Sequence, residues 1–215
     1  MTKPALLLRY FPRVDYESCH RDMKAFTTER TPDTPDELWV LEHPSVFTLG
    51  QAGRPEHVLA PGDIPVVQSD RGGQVTWHGP GQTVLYPLLE LRRYGLGARS
   101  LVSTLEGAVV DYLASLGVDA APRADAPGVY VNGAKIAALG LRIRKGRSYH
   151  GLALNRDPDL TVFQRINPCG YQDQAVTSLA ELGLDPDRQA CEEGLVQALA
   201  ARLGVTPERL IRSTA

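Results

Sequence analysis

The chain has 215 residues and carries 23 Lys+Arg against 25 Asp+Glu, a net charge of −2 with its five histidines neutral. Near-neutral charge excludes a general electrostatic pull on nucleic acid or an anionic membrane surface, and 43% apolar with 22% charged residues excludes wholesale disorder. A chain of this length hides about 70% of its extended surface on folding, enough for one core without disulfide staples.

The first sixteen residues, MTKPALLLRYFPRVDY, hold an apolar run interrupted by Arg9 and Pro12, too short for the central region of a signal peptide. No stretch nears the roughly 18 apolar residues of a membrane span. Cys19, Cys169 and Cys191 are odd in number and widely spaced, which sets no disulfide framework and favours a reducing compartment. A cytoplasmic protein of one domain is expected.

Residues 6–10 read as a short strand. Residues 15–28 space Tyr16, Cys19, Met23 and Phe26 at three- and four-residue intervals, which predicts a helix capped by Asp15. The polar segment 31–36, Thr-Pro-Asp-Thr-Pro-Asp, punctuates the chain before an apolar run at 38–41 that reads as a buried strand. Residues 64–68 and 74–89 give strand, glycine loop, strand. The strongest helix signal is 101–116, where Leu101, Leu105, Ala108, Val109, Tyr112, Leu113 and Leu116 share a face, Ser100 can cap and Gly117 can stop. Strands at 129–131, 135–143 and 149–155 follow, joined by Asn132-Gly133 and Lys145-Gly146-Arg147 turns. A last helix runs from about 186 to 203 and ends at Gly204. Hairpins with a few packed helices make an α+β fold of mixed, largely antiparallel sheets.

Three stretches are unusual for a purely structural domain. The first, Arg71-Gly72-Gly73-Gln74-Val75-Thr76-Trp77-His78 and on to Gln82, sets four glycines in twelve residues beside an Arg and a His. Tight turns explain such a concentration, and so does a backbone that lies close against a ligand. A phosphate cradle fits poorly, because the GxxxxGK[ST] pattern is absent and the loop feeds a strand. The second, residues 133–140, places Lys135 among small residues at the head of a strand. The ordinary reading is a solvated strand end; a partly desolvated ammonium would instead serve proton transfer. Ala137, Ala138 and Gly140 leave room for a narrow apolar slot.

The third is Asn167-Pro168-Cys169-Gly170. Cys19 and Cys191 fall on helical faces and read as small buried hydrophobes. Cys169 sits on a stiff turn that can present a side chain, and a thiolate there with a cation nearby is a candidate nucleophile. His150 reads equally as a packed, hydrogen-bonded imidazole or a site residue. The scattered histidines and the absence of CxxC and HExxH offer no metal site.

LEHPSVFTLG at 41–50, RGGQVTWHGPGQTVLYPL at 71–88, GAKIAALGLRI at 133–143, HGLALN at 150–155 and NPCG at 167–170 occur in order. Together they resemble the lipoyl(octanoyl) transferase family, the octanoyl-acyl-carrier-protein:protein N-octanoyltransferases, over about residues 38–180. The resemblance implies a catalytic domain like that of lipoate and biotin protein ligases. It implies that an eight-carbon acyl group passes from octanoyl-acyl carrier protein to a lysine on lipoyl domains of 2-oxoacid dehydrogenases and on the glycine cleavage H protein. By motif, Cys169 would carry the acyl thioester and Lys135 would favour ionisation of that thiol. Arg71 to His78, then Ala138, Leu139 and Gly140, then His150, Gly151, Leu152 and Ala153 would bind substrate. Trp77 and Leu152 depart mildly from the family's usual aromatic choices, which puts chain-length preference in question.

No cofactor is expected beyond the carrier's phosphopantetheine arm, and no nucleic acid, membrane or second copy. Thiol exchange with a thioester is near-balanced and needs no ATP, and eight carbons bring roughly 5–6 kcal/mol of gross burial energy at about 0.8 kcal/mol per CH₂. A local basic surplus, Lys135, Arg142, Arg144, Lys145, Arg147, Arg156 and Arg165 with Arg92 and Arg93 near by, reads either as a solvated strand face or as a steering patch for an acidic carrier. The competing readings are an ATP-dependent ligase of the same fold, a non-catalytic binding module, and a thioesterase.

Overall fold

The computed structural model describes residues 5–167, 174–185 and 187–210. Strand β1 (Leu6–Arg13) leads into helix α1 (Tyr16–Glu29), whose N-terminus is capped by the Asp15 carboxylate accepting from the Ser18 N–H. Strands β2 (Asp36–Glu42), β3 (Val46–Leu49), β4 (Val66–Gln68), β5 (Val75–His78) and β6 (Gln82–Leu88) follow, then helix α2 (Ala98–Ser115). After it come β7 (Ala121–Pro122), β8 (Gly128–Val131), β9 (Ala134–Arg144) and β10 (Arg147–Asn155), a 3-10 turn at Leu160–Arg165, helix α3 (Arg188–Leu203) and β11 (Pro207–Arg209).

Eight strands form one sheet in the order β11-β1-β2-β6-β10-β9-β8-β7. Its first three strands are parallel and the others antiparallel to their neighbours. Parallel β1 and β2 need a crossover, and α1 supplies it. The sheet is covered on both faces, and strand alternation divides its side chains between two clusters. Leu38 and Val40 of β2, Leu85 of β6 and Leu152 and Leu154 of β10 join α2 and α3. Trp39 and Leu41, Val84 and Tyr86, and Ala153 meet α1. A second sheet, β4-β3-β5, packs on the 160–165 turn through Phe47, Trp77 and Phe163. This is the expected α+β arrangement of mixed, largely antiparallel strands and packed helices. No helix among the described residues is long and apolar enough to cross a membrane.

Both predicted hairpin turns form with two successive residues at positive φ, 49° and 84° at Asn132-Gly133 and 52° and 80° at Lys145-Gly146. That is the primed geometry matching strand twist. Gly117 and Gly204 end their helices at positive φ as expected, and the N-cap of α3 is Asp187. Pro186 lies outside the described residues.

Three expectations change. Ser100 is not the cap of α2: the helix starts one turn earlier, with Gly97 as N-cap, and the Ser100 hydroxyl accepts from the Gly97 N–H at 2.8 Å. Residues 74–89 are two strands in different sheets, because Gly79-Pro80-Gly81 turns the chain between β5 and β6; Pro80 brings no N–H and Gly81 sits at φ 88°. The polar segment 31–36 ends in a fully buried residue. Asp36 accepts from Arg30 at 2.5 Å and from the Glu90 N–H at 2.8 Å, and Arg93 lies 3.2 Å from its other oxygen. Arg30 in turn donates to the Leu88 carbonyl, so this ion pair ties the end of α1 to β2 and β6.

Candidate active site

The glycine segment is brought against β9 by main-chain pairing: the Gly72 N–H donates to the Leu141 carbonyl at 2.9 Å. Side chains are excluded at the crossing. A Cβ on Gly140 would stand 3.0 Å from the Gly72 carbonyl oxygen, and one on Gly151 only 2.0 Å from that of Leu85. Arg71, which is buried, fastens the segment to β3. Its guanidinium donates to the Thr48 hydroxyl and carbonyl and to the Gly72 and Gln74 carbonyls, at 2.6 to 3.0 Å.

Between this segment, β9, β10 and the first turns of α2 lies a cavity of about 440 Å³, within the range of small-ligand pockets. Its wall includes residues 71–76, His78, Lys135, residues 138–140 and residues 150–153. The expected substrate-binding segments, distant in sequence, therefore share one cavity, Trp77 excepted. The Trp77 indole is buried edge-on against Phe163, with ring centroids 5.7 Å apart. Alternation along β5 places it with Val75 in the cluster under the small sheet, while Thr76 and His78 take the other face.

Lys135 is not a solvated strand end. It is 6% exposed, its Nζ lies 3.4 Å from the Pro127 carbonyl and 5.3 Å from the Tyr130 ring centroid, and a buried ammonium needs such partners. Its N–H donates to the Ala175 carbonyl and its carbonyl accepts from Thr177, so residues 175–177 run beside it. Cys169 lies outside the described residues, with Pro168 and Gly170. Both described cysteines match the packing reading: Cys19 on α1 and Cys191 on α3 are buried and free, and burial pushes the Cys19 thiol up to about 12 and raises that of Cys191.

Four of the five histidines, far apart in sequence, gather at the end of the cavity where Tyr16 and Tyr86 join the wall. His43 donates from Nδ1 to the Val14 carbonyl at 2.6 Å, which leaves Nε2 to accept from the Tyr86 hydroxyl at 2.8 Å. His78 pairs with Gln82, and Gln82 donates to Asn155. Asp70 accepts from His150 and His20 at 2.9 and 2.8 Å on one oxygen, and from the Tyr149 hydroxyl at 2.5 Å on the other. Burial drives the His43 and His150 imidazoles down to about 4 and His78 well below its usual value, so all three are neutral at pH 7. Burial alone would raise the Asp70 carboxyl; the hydrogen bonds from His150, Tyr149 and His20 win and hold it well below the carboxylate range. His150 takes a left-handed backbone, φ 57°, rare for a residue with a side chain. His43 falls within the 41–50 motif, whereas Asp70 and His20 lie outside every motif, and only the fold brings them into the site.

Solved structures of the same architecture define the class. A lipoate-protein ligase A bound with ATP superposes with TM-score 0.75 at 16% identity, covering 98% of this chain and 90% of its own. A biotin protein ligase from Aquifex aeolicus superposes with TM-score 0.55 at 15% identity, covering 92% and 70%. These likenesses establish the lipoate/biotin protein ligase-like fold. More specifically, the model of the lipoyl protein ligase A/B catalytic domain matches residues 15–200, and the chain belongs to that family. Among similar curated relatives are an octanoyltransferase of Alcanivorax borkumensis, 62% identical over 94% of this chain and 82% of its own length, and one of Cellvibrio japonicus, 58% identical over 89% and 90%.

Proposed function

We propose that this chain moves an octanoyl group from acyl carrier protein, through a thioester on Cys169, to a lysine of a lipoyl domain. Octanoyl transfer, an acyltransferase reaction, is the activity its relatives' names carry at 62% and 58% identity, and with the lipoyl protein ligase family match it is the activity of this chain, in protein lipoylation. The route is the part proposed here. The observation that supports it most is Lys135, a buried lysine on the wall of the cavity that holds the motif residues. Ala175, whose carbonyl takes the Lys135 N–H, is only six residues after Cys169.

In the first stage the Cys169 thiolate attacks the acyl carbonyl carbon, a new C–S bond forms, the bond to the carrier sulfur breaks, and the carrier thiolate takes the proton of the Lys135 ammonium. In the second, the now neutral Lys135 accepts a proton as the acceptor lysine attacks. The amide bond forms, the C–S bond to Cys169 breaks, and the Cys169–Lys135 pair is restored. The apolar wall suits an eight-carbon tail, whose burial holds the acyl group during both stages. No cofactor enters this sequence.

The test is transfer without nucleotide. With octanoyl-acyl carrier protein and an apo lipoyl domain, product should form at full rate in the absence of ATP. A requirement for free octanoate and ATP would replace this reading with the ligase reaction that the fold also supports, and release of octanoate to water would replace it with a thioesterase.

Electrostatic steering of the donor narrows to fewer side chains than the count of basic residues suggested. Arg147 pairs with Glu90 at 3.2 Å, Arg156 with Asp157 at 2.8 Å, Arg93 reaches Asp36, and Arg165 donates to the Ala60 carbonyl. Arg144 and Lys145 are exposed at the β9–β10 turn, and Arg144 enters no ion pair among the described residues. Arg144→Glu should raise KM for octanoyl-acyl carrier protein about fivefold at low salt with kcat unchanged, and the effect should fade as ionic strength rises. Steady-state kinetics at two salt concentrations check this; an unchanged KM at both removes Arg144 from the docking surface.

A further inference from the structure

We propose that His20, Asp70 and His150 form a binding site for one divalent cation of the zinc class, at the polar end of the cavity. The three residues come from α1, the segment before β5, and β10, and nothing in octanoyl transfer calls for them as a set. Both imidazoles turn Nε2 to the same Asp70 oxygen, at 2.8 and 2.9 Å, and the three ligand atoms all lie within 4.8 Å of one another. Zn–N and Zn–O bonds of about 2.0–2.2 Å set tetrahedral ligand atoms about 3.4 Å apart, so an ion needs only small shifts. The partly exposed His20 and Asp70 side chains leave it a path from solvent.

The donor set is two imidazole nitrogens and one carboxylate oxygen, which suits Zn²⁺ or Co²⁺ over Mg²⁺ or Ca²⁺ and leaves a fourth position open. The Tyr149 hydroxyl on the other Asp70 oxygen, at 2.5 Å, fixes the carboxylate as outer-shell partners do in metal sites. The other imidazoles of the cluster are engaged differently: His43 uses both nitrogens on Val14 and Tyr86, and His78 binds Gln82. Ligation at Nε2 moves the ring proton of His150 to Nδ1. That atom is buried with no partner among the described residues, so ligation gives up the Nε2–H bond to Asp70 and leaves a buried N–H unpaired, a cost that the bonds to the ion must exceed.

His150 lines the cavity and His20 does not, so an ion held between them stands against the cavity wall and lowers transfer. This consequence rests on the function proposed above; the binding does not. The experiment uses the full chain carrying Cys169→Ser, stripped with chelator, titrated with Zn²⁺ by calorimetry and with Co²⁺ by absorbance. One ion per chain is expected, with a tetrahedral Co²⁺ spectrum free of thiolate-to-metal bands. His20→Gln keeps a hydrogen-bond donor for Asp70 but is a poor ligand, and in the same background it should weaken binding by at least the roughly 10–100-fold that loss of an outer-shell partner costs. With Cys169 present, Zn²⁺ should inhibit transfer, and His20→Gln should raise the inhibitory concentration by a similar factor. No binding, or binding unchanged by His20→Gln, overturns the site and leaves a hydrogen-bonded cluster. Binding without inhibition overturns only its effect on transfer.

Discussion

Lys135→Met is expected to lower octanoyl transfer about a thousandfold, in the middle of the 10²–10⁴ range for a positioned proton-transfer group. That corresponds to about 4 kcal/mol of activation free energy. Methionine keeps most of the lysine's length while removing the charge, every donor and the cation–π contact with Tyr130, so the aliphatic packing should survive. The loss should divide between the half-reactions. Acylation of Cys169 slows because no ammonium favours the thiolate or protonates the departing carrier sulfur. Aminolysis slows because no neutral amine accepts the proton. Lys135→Arg separates the two: its permanent charge restores part of acylation, but a guanidinium accepts no proton, so aminolysis stays slow. Rapid-quench measurement of each half-reaction checks this. A Met variant within tenfold of the parent in both would remove Lys135 from the chemistry.

The largest effect on stability is expected at Asp36. Asp36→Ala leaves the Arg30 guanidinium, whose side chain is 1% exposed, buried without its carboxylate, and breaking a buried pair from one side costs about 3–5 kcal/mol. The Glu90 N–H loses its acceptor in the same change. Asp36→Asn should cost less, because an amide oxygen still accepts from Arg30 and Glu90. Urea unfolding measures both, as a lowered midpoint at unchanged slope. A loss below about 1 kcal/mol for Asp36→Ala would mean that Arg30 finds solvent or another partner.

The same residue shows where local pattern stops being informative. The strand at 38–41 was legible because its four residues are apolar, yet β2 runs from Asp36 to Glu42 and every residue in it is buried. Its acidic positions are tolerated inside because each meets an arginine from elsewhere in the chain: Arg30 at Asp36, Arg9 at Glu37 and Arg13 at Glu42. Those pairings are made by the fold and leave no periodic trace. Turns and caps were legible for the opposite reason. Asp15 and Asn132-Gly133 act through their own backbone neighbours, so a few adjacent residues carry the whole signal.

The site divides in the same way. Its glycines are legible because such a concentration is costly to fold, whereas Lys135 and His150 each allow an ordinary reading and join the site through the resemblance of the motifs that hold them. Asp70 and His20 lacked such a mark: an aspartate before a glycine loop and a histidine on an amphipathic helix are commonplace, and the link between them is a single shared oxygen. Trp77 lies off the cavity wall because the motif fixes its position in the chain, whereas the face it occupies depends on strand alternation within β5. Short β3, four residues long and directly after His43-Pro44-Ser45, gave too brief an apolar run to be read as a strand beside the longer signals around it.

The central claim is that one sulfur carries the acyl group between donor and acceptor. Intact mass spectrometry of the reduced chain, mixed with octanoyl-acyl carrier protein and no acceptor, tests it most directly. The account predicts a gain of one octanoyl group that hydroxylamine removes, that is absent from Cys169→Ser, and that disappears from the parent chain when apo lipoyl domain is added and becomes octanoylated. An unmodified chain that nevertheless octanoylates the lipoyl domain, or an adduct that persists in Cys169→Ser, would contradict it.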